Sequence, residues 1–391
     1  MNLTNITELC DIQIGRTPKR SEVKYWGNGH SWLSIADMGE KYVYDSKEEV
    51  TNLAVEECRM KVVPKNTVVM SFKLTIGRLG ITEKDLYTNE AIAAFLIKDK
   101  NLLLPEYLYY SLKGYNFDHL IDRAAKGKTL NKRKLSEIYI PLIPIDNQKK
   151  IIEILNKAEN LLVKRQQQIE ALSALKQSVF LDMFGDPNST DCKFVKKRIG
   201  EVFEVQTGKT PSRKRIDYWD KEEVPWIKTT EVQNVEINVN EEFITNLAMT
   251  ESKLKLFSEN TILIAMYGQG KTRGQSGILK FPATCNQACA ALLPNEEMEM
   301  QFVWNQLLIQ YDSLRALGRG GNQPNLNLSL VRGFEIIVPP NELQKKYADK
   351  LKKIDEFIQK IENSLGQLTT LYNSLLQKAF NGELLKEEIK A

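Results

Sequence analysis

The sequence predicts an α+β chain: two repeated mixed α/β domains separated by a pair of long antiparallel coiled-coil helices, related by a pseudo-two-fold. Three observations lead there. First, Ile151, Leu155, Ala158, Leu162, Arg165, Ile169, Leu172, Lys176, Val179 and Met183 advance by alternating steps of four and three. All but Arg165 and Lys176 are apolar, which is the seam of a coiled coil. Second, adding 196 to each number lands on Tyr347, Leu351, Ile354, Ile358, Ile361, Leu365, Leu368, Tyr372, Leu375 and Ala379, all apolar or aromatic. Third, the sequence before each seam is also duplicated. Gly15-Arg16-Thr17-Pro18, Tyr25-Trp26-Gly27 and Trp32 to Asp37 return as Gly208-Lys209-Thr210-Pro211, Tyr218-Trp219-Asp220 and Trp226 to Glu231. Thr67 to Phe72 returns as Thr261 to Met266, Asn89 to Ala94 as Asn286 to Ala291, and Leu135 to Pro144 as Leu330 to Pro339. Such self-similarity decides an architecture before any single element does.

In chain order, residues 1–144 form the first domain. Short β-branched runs (Val62-Val63, Val68 to Met70, Ala91 to Ile97, Ile138 to Ile143) lie between Pro, Gly and Asn punctuation, as strands do. A helix is predicted over Pro105 to Lys113 and a loop over Gly127 to Lys134. Residues 145–186 are the first long helix, capped by Asp146 and stopped at Phe184-Gly185-Asp186, where glycine takes the left-handed C-terminal position. Residues 187–340 are the second domain, with a helix over Gln301 to Leu317 that presents Phe302, Trp304, Leu307, Leu308, Tyr311 and Leu314, and a loop over Gly318 to Leu326. Residues 341–391 are the second long helix and a tail, with Asn341 as cap and a stop at Phe380-Asn381-Gly382. Gly366 inside that helix costs ~1 kcal/mol relative to alanine.

Each long helix spans roughly 37 residues, or about 55 Å. The first leaves domain one for domain two, so the second must run back if equivalent seams are to meet. The polar inserts Arg165 and Lys176 either fix the register or mark a groove that receives another protein.

Net charge is only +4 and the domains are balanced: 21 basic against 18 acidic side chains in residues 1–144, and 18 of each in 187–340. A nucleic-acid reading therefore rests on local patches. Three stretches are free of acids: Arg123, Lys126, Lys128, Lys132, Arg133 and Lys134; Lys209, Arg213, Lys214 and Arg215; and Lys271 with Arg273. With two histidines, His30 and His119, a histidine-based metal site or triad has almost nothing to work with. Cys10, Cys58, Cys192, Cys285 and Cys289 match no zinc spacing and read as reduced structural thiols. No signal-like N-terminus or membrane-length apolar run is present, so a soluble cytoplasmic protein with no membrane partner is expected.

Catalytic motifs are near-misses or missing. Ala265 to Thr272 ends in Gly-Lys-Thr after a predicted strand, but alanine stands at the first glycine of a phosphate loop, and the equivalent Ser71 to Arg78 lacks Gly-Lys-Thr. There is no G-x-S-x-G elbow, no Asn/Asp-Pro-Pro-aromatic tetrapeptide, and no carboxylate pair repeated in both halves; Asp37 and Glu231 correspond but lack evident partners. What the repeats do offer is polyanion contact. The opening turns supply Arg16, Thr17, Lys19 and Arg20, then Lys209, Thr210 and Arg213; the loop after the central strand supplies Lys73, then Gln269, Lys271 and Arg273. Lys126, Lys128, Asn131 and Lys132 precede the closing strand of the first domain; Arg319, Asn322, Gln323 and Asn325, in an amide-rich loop suited to adenine, precede that of the second. The repeated Tyr-Trp pairs either stack on bases or fill the core. These residues leave three readings open: a DNA-binding subunit, a two-headed nuclease with its own active sites, and a protein-binding coiled-coil scaffold.

Taken together, the duplicated Gly-[Lys/Arg]-Thr-Pro, Tyr-Trp and Trp-[Leu/Ile] openings, the segment Met266 to Gly274, Asn286-Gln287-Ala288 and the Pro-Pro-x-x-x-Gln starts of the long helices resemble the DNA-specificity subunit of type I restriction-modification systems over essentially the full chain. The first half departs where Phe72-Lys73 replaces Met-Tyr, Glu90 replaces Gln287 and Pro144-Ile145 replaces Pro339-Pro340. The resemblance implies two target-recognition domains that each read one part of a split site in double-stranded DNA, and a non-catalytic chain that binds no cofactor itself. It also implies two modification (methyltransferase) subunits carrying S-adenosylmethionine, and optional restriction subunits using ATP and magnesium. A helix of about 55 Å suits sites one DNA turn, ~34 Å, apart.

Overall fold

The computed structural model describes residues 2–124, 127–268, 270–318 and 325–384, and for 122–124 and 127–129 the backbone alone. Lys126, Gln269, Arg319, Asn322, Gln323 and the side chain of Lys128 lie outside the described residues. The chain divides into two compact units, Met1–Gln166 with Asn363–Ala391, and Gln167–Glu362.

In the first unit, Val68–Ser71 is buried at every position and is the middle strand of a five-stranded sheet. The order is Cys10–Ile14, Ile92–Ile97, Val68–Ser71, Leu79–Thr82, Tyr42–Val43, antiparallel except for the last pair. A strand covered on both faces reads as an unbroken apolar run. Here Val68, Met70, Ala93 and Phe95 face one core with helix α3 (Pro105–Lys113), while Val69, Ile92 and Ala94 face another with Leu33, Val63 and Leu86. A three-stranded sheet, Glu48–Val50, Trp26–Leu33 and Tyr87–Thr88, lies on that second side. Leu3–Asn5 pairs with Tyr139–Pro141 to close the domain. Short helices α1 (Ile6–Leu9), α2 (Asn52–Glu57) and α4 (Lys132–Leu135) complete it, and the long α5 (Ile145–Phe184) follows.

The second unit repeats these sheets: a five-stranded sheet ordered Val205–Thr207, Cys289–Leu292, Ile262–Ala265, Ser276–Leu279, Val235–Ile237, a three-stranded sheet of Glu242–Ile244, Val224–Ile227 and Thr284–Cys285, and a closing pair Lys196–Arg198 with Glu335–Ile337. Its helices are α6 (Ile199–Val202), α7 (Asn246–Glu251), α8 (Met300–Ile309), α9 (Tyr311–Ala316) and α10 (Leu328–Gly333), and the long α11 (Asn341–Asn381) follows.

All twenty seam positions of α5 and α11 are buried or half-buried. In the second unit, Lys176 reaches Asp355, and the rings of Phe180 and Phe184 lie 5.5 Å from Tyr347, so numbers rise along one helix as they fall along the other and the two run antiparallel. In the first unit, Ile151 and Leu155 share a core with Tyr372, Leu376 and Ala379.

Several elements differ from the sequence reading. The helix expected over Gln301 to Leu317 is two, α8 and α9, with a break at Gln310 (ψ 12°) and neither Gly nor Pro to announce it. The Gln310 side chain is buried and joins Gln306 at 2.9 Å with the Pro187 and Glu335 carbonyls, each at 3.4 Å. The expected loop 127–134 holds the strand Gly127–Thr129, paired with Asp122–Ala124, and most of α4. Val62-Val63 gives only an isolated bridge, Val63 to Leu86.

The mapping of Leu135 to Pro144 onto Leu330 to Pro339 is one residue out. The helix-capping Asn131 matches Asn327, and buried Leu135 matches Val331. The double proline at 339 and 340 hid the slip.

Asp146 and Asn341 do not cap. Asp146 pairs with Lys149 at 3.4 Å, and Asn341 donates its amide to the Glu296 and Glu297 carbonyls. The glutamine two residues after Asp146 and three after Asn341 organises each helix start. Gln148 accepts from Leu104 N at 3.0 Å and donates to the Leu102 and Ile143 carbonyls. Gln344 accepts from Glu299 N at 2.9 Å and donates to the Pro339 carbonyl at 2.8 Å. Both are fully buried, so one side chain satisfies the backbone groups that the junction of α3 or α8 with its long helix would otherwise orphan.

Candidate nucleic-acid interface

Each opening turn is held by the same contacts. A β-carbon at Gly15 would meet the Thr88 carbonyl at 2.1 Å, and one at Gly208 the Cys285 carbonyl at 1.8 Å, so only glycine lets the turn lie on the neighbouring strand. Trp32 Nε1 donates to the Arg16 carbonyl and Trp226 Nε1 to the Lys209 carbonyl, both at 3.0 Å. Trp26 and Trp219 do likewise for Lys19 and Ser212, at 3.3 and 3.2 Å. The tryptophans meet edge-on, Trp26 with Trp32 at 5.0 Å and Trp219 with Trp226 at 5.1 Å, and so serve the core side of the alternative left open by the sequence.

Arg20 and Arg213 cover these pairs. Arg20 lies 4.0 Å from the Trp26 ring centroid and forks onto Glu48, and Arg213 lies 3.6 Å from Trp219 and 2.6 Å from Glu242. The Glu48 hydrogen bond raises the Arg20 guanidinium above its ordinary pKa and lowers its own carboxyl. Lys19 pairs with Glu22 at 3.3 Å. Arg16 Nη1 donates to the Cys58 carbonyl at 2.8 Å, and Lys209 Nζ to the Ser252 carbonyl at 3.4 Å, each at the C-terminal end of a short helix where a cation suits the exposed carbonyls.

A second set of contacts joins the loops. Thr17 donates its hydroxyl to Glu90, Phe72 N donates to the Ala91 carbonyl, and Leu130 N to the Phe72 carbonyl. In the second unit the series is Thr210 to Gln287, Met266 N to Ala288, and Leu326 N to Met266. Opening turn, Asn-[Glu/Gln]-Ala turn, central loop and the segment before α4 or α10 therefore meet at one end of each five-stranded sheet. Asn89 and Asn286 fold the second of these as Asx turns, accepting from Ala91 N and Ala288 N at 3.0 and 3.1 Å. Asn131, exposed, caps α4 through Lys134 N at 3.0 Å, and Lys132 is exposed beside it. Asn325 is exposed next to the bonded Leu326. Glu90 and Gln287, read from sequence only as a difference between the halves, are exposed at the centre of this arrangement; their matching place between Asn and Ala in the repeated Asn-[Glu/Gln]-Ala turn was the available signal.

The central loops diverge. Between matched hydrogen bonds (Gly77 N to Ser71 O, Gly274 N to Ala265 O) the second is three residues longer, and Gly268, Gly270 and Gly274 take φ of 150°, 60° and 84°. Tyr311 Oη donates to the Lys271 carbonyl at 2.5 Å and Arg315 Nη1 to the Arg273 carbonyl at 3.0 Å, so α9 braces the loop and leaves the Lys271 side chain exposed. Gly318 packs on Arg273, where a β-carbon would sit 3.1 Å from Nε. In the first unit Ser71 closes its own loop, accepting from Arg78 N at 3.0 Å and donating to the Thr75 carbonyl at 2.5 Å; Lys73 Nζ lies 5.4 Å from the Phe72 ring.

Residues 1–171 and 192–370 each match the family model described as the type I restriction modification DNA specificity domain. The chain belongs to that family. It is 24% identical to the MjaIX specificity subunit of Methanocaldococcus jannaschii over an alignment of 410 residues, covering 99% of this chain and 94% of the relative. It is 28% identical over 172 residues to the EcoR124I/EcoR124II specificity subunit of Escherichia coli, 43% of each chain. Among solved structures, a chain from a study of complex assembly and conformational transition of the type I restriction-modification system shares the fold at TM-score 0.66 and 13% identity over 98% of both chains. The S subunit from M. genitalium does so at TM-score 0.54 and 16% identity over 97% of this chain and 96% of that one. As a specificity subunit, this chain recognises a DNA target and is not itself the catalytic member of the system. Among the described residues no helix is long and apolar enough to cross a membrane.

Proposed function

We propose that the two units read the two parts of a split duplex site, and that the chain thereby directs two modification subunits, and where present restriction subunits, to that site in the cytoplasm. S-adenosylmethionine, ATP and magnesium belong to those partners, and this chain contributes binding and position. The observation that carries the reading is the duplicated meeting of loops, Thr17–Glu90–Ala91–Phe72–Leu130 and Thr210–Gln287–Ala288–Met266–Leu326. The same scaffold presents different side chains in the two copies. A carboxylate at Glu90 accepts from cytosine N4, whereas the Gln287 amide matches adenine. The central loop adds a second difference in length.

Methylome sequencing of cells expressing this chain with its modification subunit tests the proposal. The expected result is a two-part methylated motif that disappears on deletion of this chain. Exchanging residues 1–144 for another family member's domain should alter one part only; a change in both parts, or in neither, overturns the division of labour.

A further inference from the structure

Most cations in and beside the opening turns are occupied. Arg20, Arg213, Lys24 and Arg215 are paired with Glu48, Glu242, Glu57, and Asp217 with Glu251. A different group is not. Helices α2 and α7 end at Cys58 and Ser252, and the next residues, Arg59 (φ 47°) and Lys253 (φ 50°), take the left-handed conformation. Met60 N then returns to the Val55 carbonyl at 2.9 Å and Leu254 N to the Met249 carbonyl at 3.0 Å, closing a helix end that usually employs glycine or asparagine. Both copies put a long cation there instead, at the cost of a β-carbon in a crowded conformation. Met60 is buried and Leu254 half-buried, so the residues on either side of them, Arg59 with Lys61 and Lys253 with Lys255, are left exposed. The third member comes from the opening turn, through the Arg16 bond to the Cys58 carbonyl and the Lys209 bond to the Ser252 carbonyl.

We propose that Arg16, Arg59 and Lys61 in the first unit, and Lys209, Lys253 and Lys255 in the second, form a repeated clamp for the phosphodiester backbone of duplex DNA, beside the loops that read bases. The proposal rests on the DNA-recognition role of these units and adds the groups that hold the phosphates. In the second unit the trio lines one cleft of about 560 Å³ together with Arg332 and the residues from Gln206 to Gly208; Glu204 is its one acid. Glu204 accepts from Gln206, and Arg332 donates to the Val205 carbonyl at 2.7 Å. Among the described residues none of the six clamp cations forms an ion pair with a carboxylate. Three like charges brought together without acids repel one another, and phosphates relieve that repulsion while releasing condensed counterions. A cation that merely complements the end of a helix accounts for Arg59 and Lys253. It accounts neither for Lys61 and Lys255, two residues beyond, nor for glycine being passed over twice.

The test uses the full chain and a labelled duplex carrying its methylated motif, alongside a scrambled duplex, with affinity measured between about 50 and 200 mM salt. Arg59→Gly with Lys61→Gln, and Lys253→Gly with Lys255→Gln, should each weaken both duplexes by about tenfold, leave their affinity ratio unchanged, and reduce the salt slope by roughly two. Because glycine relieves the left-handed residue, the melting temperature should hold or rise, which separates lost phosphate contact from a damaged fold. Unchanged affinity and slope in variants of a chain that binds duplex would overturn the clamp while leaving recognition intact. If the unaltered chain binds neither duplex, recognition and clamp fail together. Inorganic polyphosphate displacing duplex at equal phosphate concentration would overturn the assignment to DNA.

Discussion

In the first unit Glu159, on α5, takes its cation from α3: Lys113 Nζ lies 2.6 Å away and 5.3 Å from the Tyr372 ring. In the second unit the equivalent acid is Asp355, on α11, and its cation is Lys176, on α5 at the place of Tyr372; the Lys113 position is Leu308. The charge balance is kept while the donor moves from domain helix to seam. Lys176 is therefore a seam position used for pairing, and the register role left open by the sequence has a partner in Asp355. Surroundings follow the same division. The first junction is polar, with Lys41, Tyr42, Glu106, Tyr110 and Asn156 hydrogen-bonded together. The second is aromatic, with Phe180, Phe184, Phe302 and Tyr347 fully buried. A duplicated scaffold evidently tolerates exchange of chemistry at a junction so long as volume and charge close locally.

The largest expected effect breaks the aromatic side of this comparison. Phe184 is fully buried, 4.8 Å from Phe302 and 5.5 Å from Tyr347, whereas its counterpart Phe380 is half-buried and has Tyr107 as its ring partner at 5.5 Å. Phe184→Ala should cost about 3–5 kcal/mol and Phe380→Ala about half as much. Urea unfolding measures both, and equal losses would show that the polar junction depends on its aromatic ring just as heavily.

An intermediate effect tests the moved cation. Lys113→Leu leaves Glu159 without its ammonium, and with both side chains partly exposed the loss should be about 1–2 kcal/mol. Adding Tyr372→Lys rebuilds the arrangement of the second unit and should recover most of it. A double variant no more stable than Lys113→Leu would mean that the two arrangements are not interchangeable.

How far the sequence reveals this depends on the range of each signal. The seams were legible because a heptad pattern is local and here occurs twice, and the central strands because Val68 to Met70 and Ile262 to Ala265 are unbroken apolar runs. The motif at the helix starts marked Gln148 and Gln344 but not their role, since a glutamine in the first turn of a helix looks like surface until the carbonyls it meets are known. The break at Gln310 has the same cause: a buried polar side chain ends α8 where no Gly or Pro stands. At the interface, Gly15 and Gly208 announced close turns, and the loops named from sequence do converge. What composition could not show was occupancy. Arg20 and Arg213 read as open to phosphate because their acids, Glu48 and Glu242, are 28 and 29 positions away. Arg59, Lys61, Lys253 and Lys255, interleaved with apolar residues, did not register as a patch.

The smallest effect concerns pH and separates the junctions by titration. Burial alone would raise the Glu106 carboxyl, but the Tyr42 hydroxyl at 2.7 Å, Lys41 and the Asn156 amide, each at 3.3 Å, hold it below its ordinary value of 4.5. A carboxyl lowered in the folded state adds stability that is present above the unfolded value and fades as pH falls through the folded one. Other titratable groups facing the cluster are Tyr110, Glu159, Lys113, Tyr109, Glu83 and Tyr44, and in the second unit the Glu106 position is Gln301, which carries no charge. Glu106→Gln should therefore lower stability by less than about 1 kcal/mol near pH 6, a third of that side chain being exposed. The gap should close as pH falls below about 4.5, because the unaltered chain then loses the same contribution. Urea midpoints of the two chains at a series of pH values read this directly. A gap constant with pH would assign the loss to packing around the amide, and one that widened toward acid would mean that the folded chain binds the Glu106 proton more tightly than the unfolded chain does.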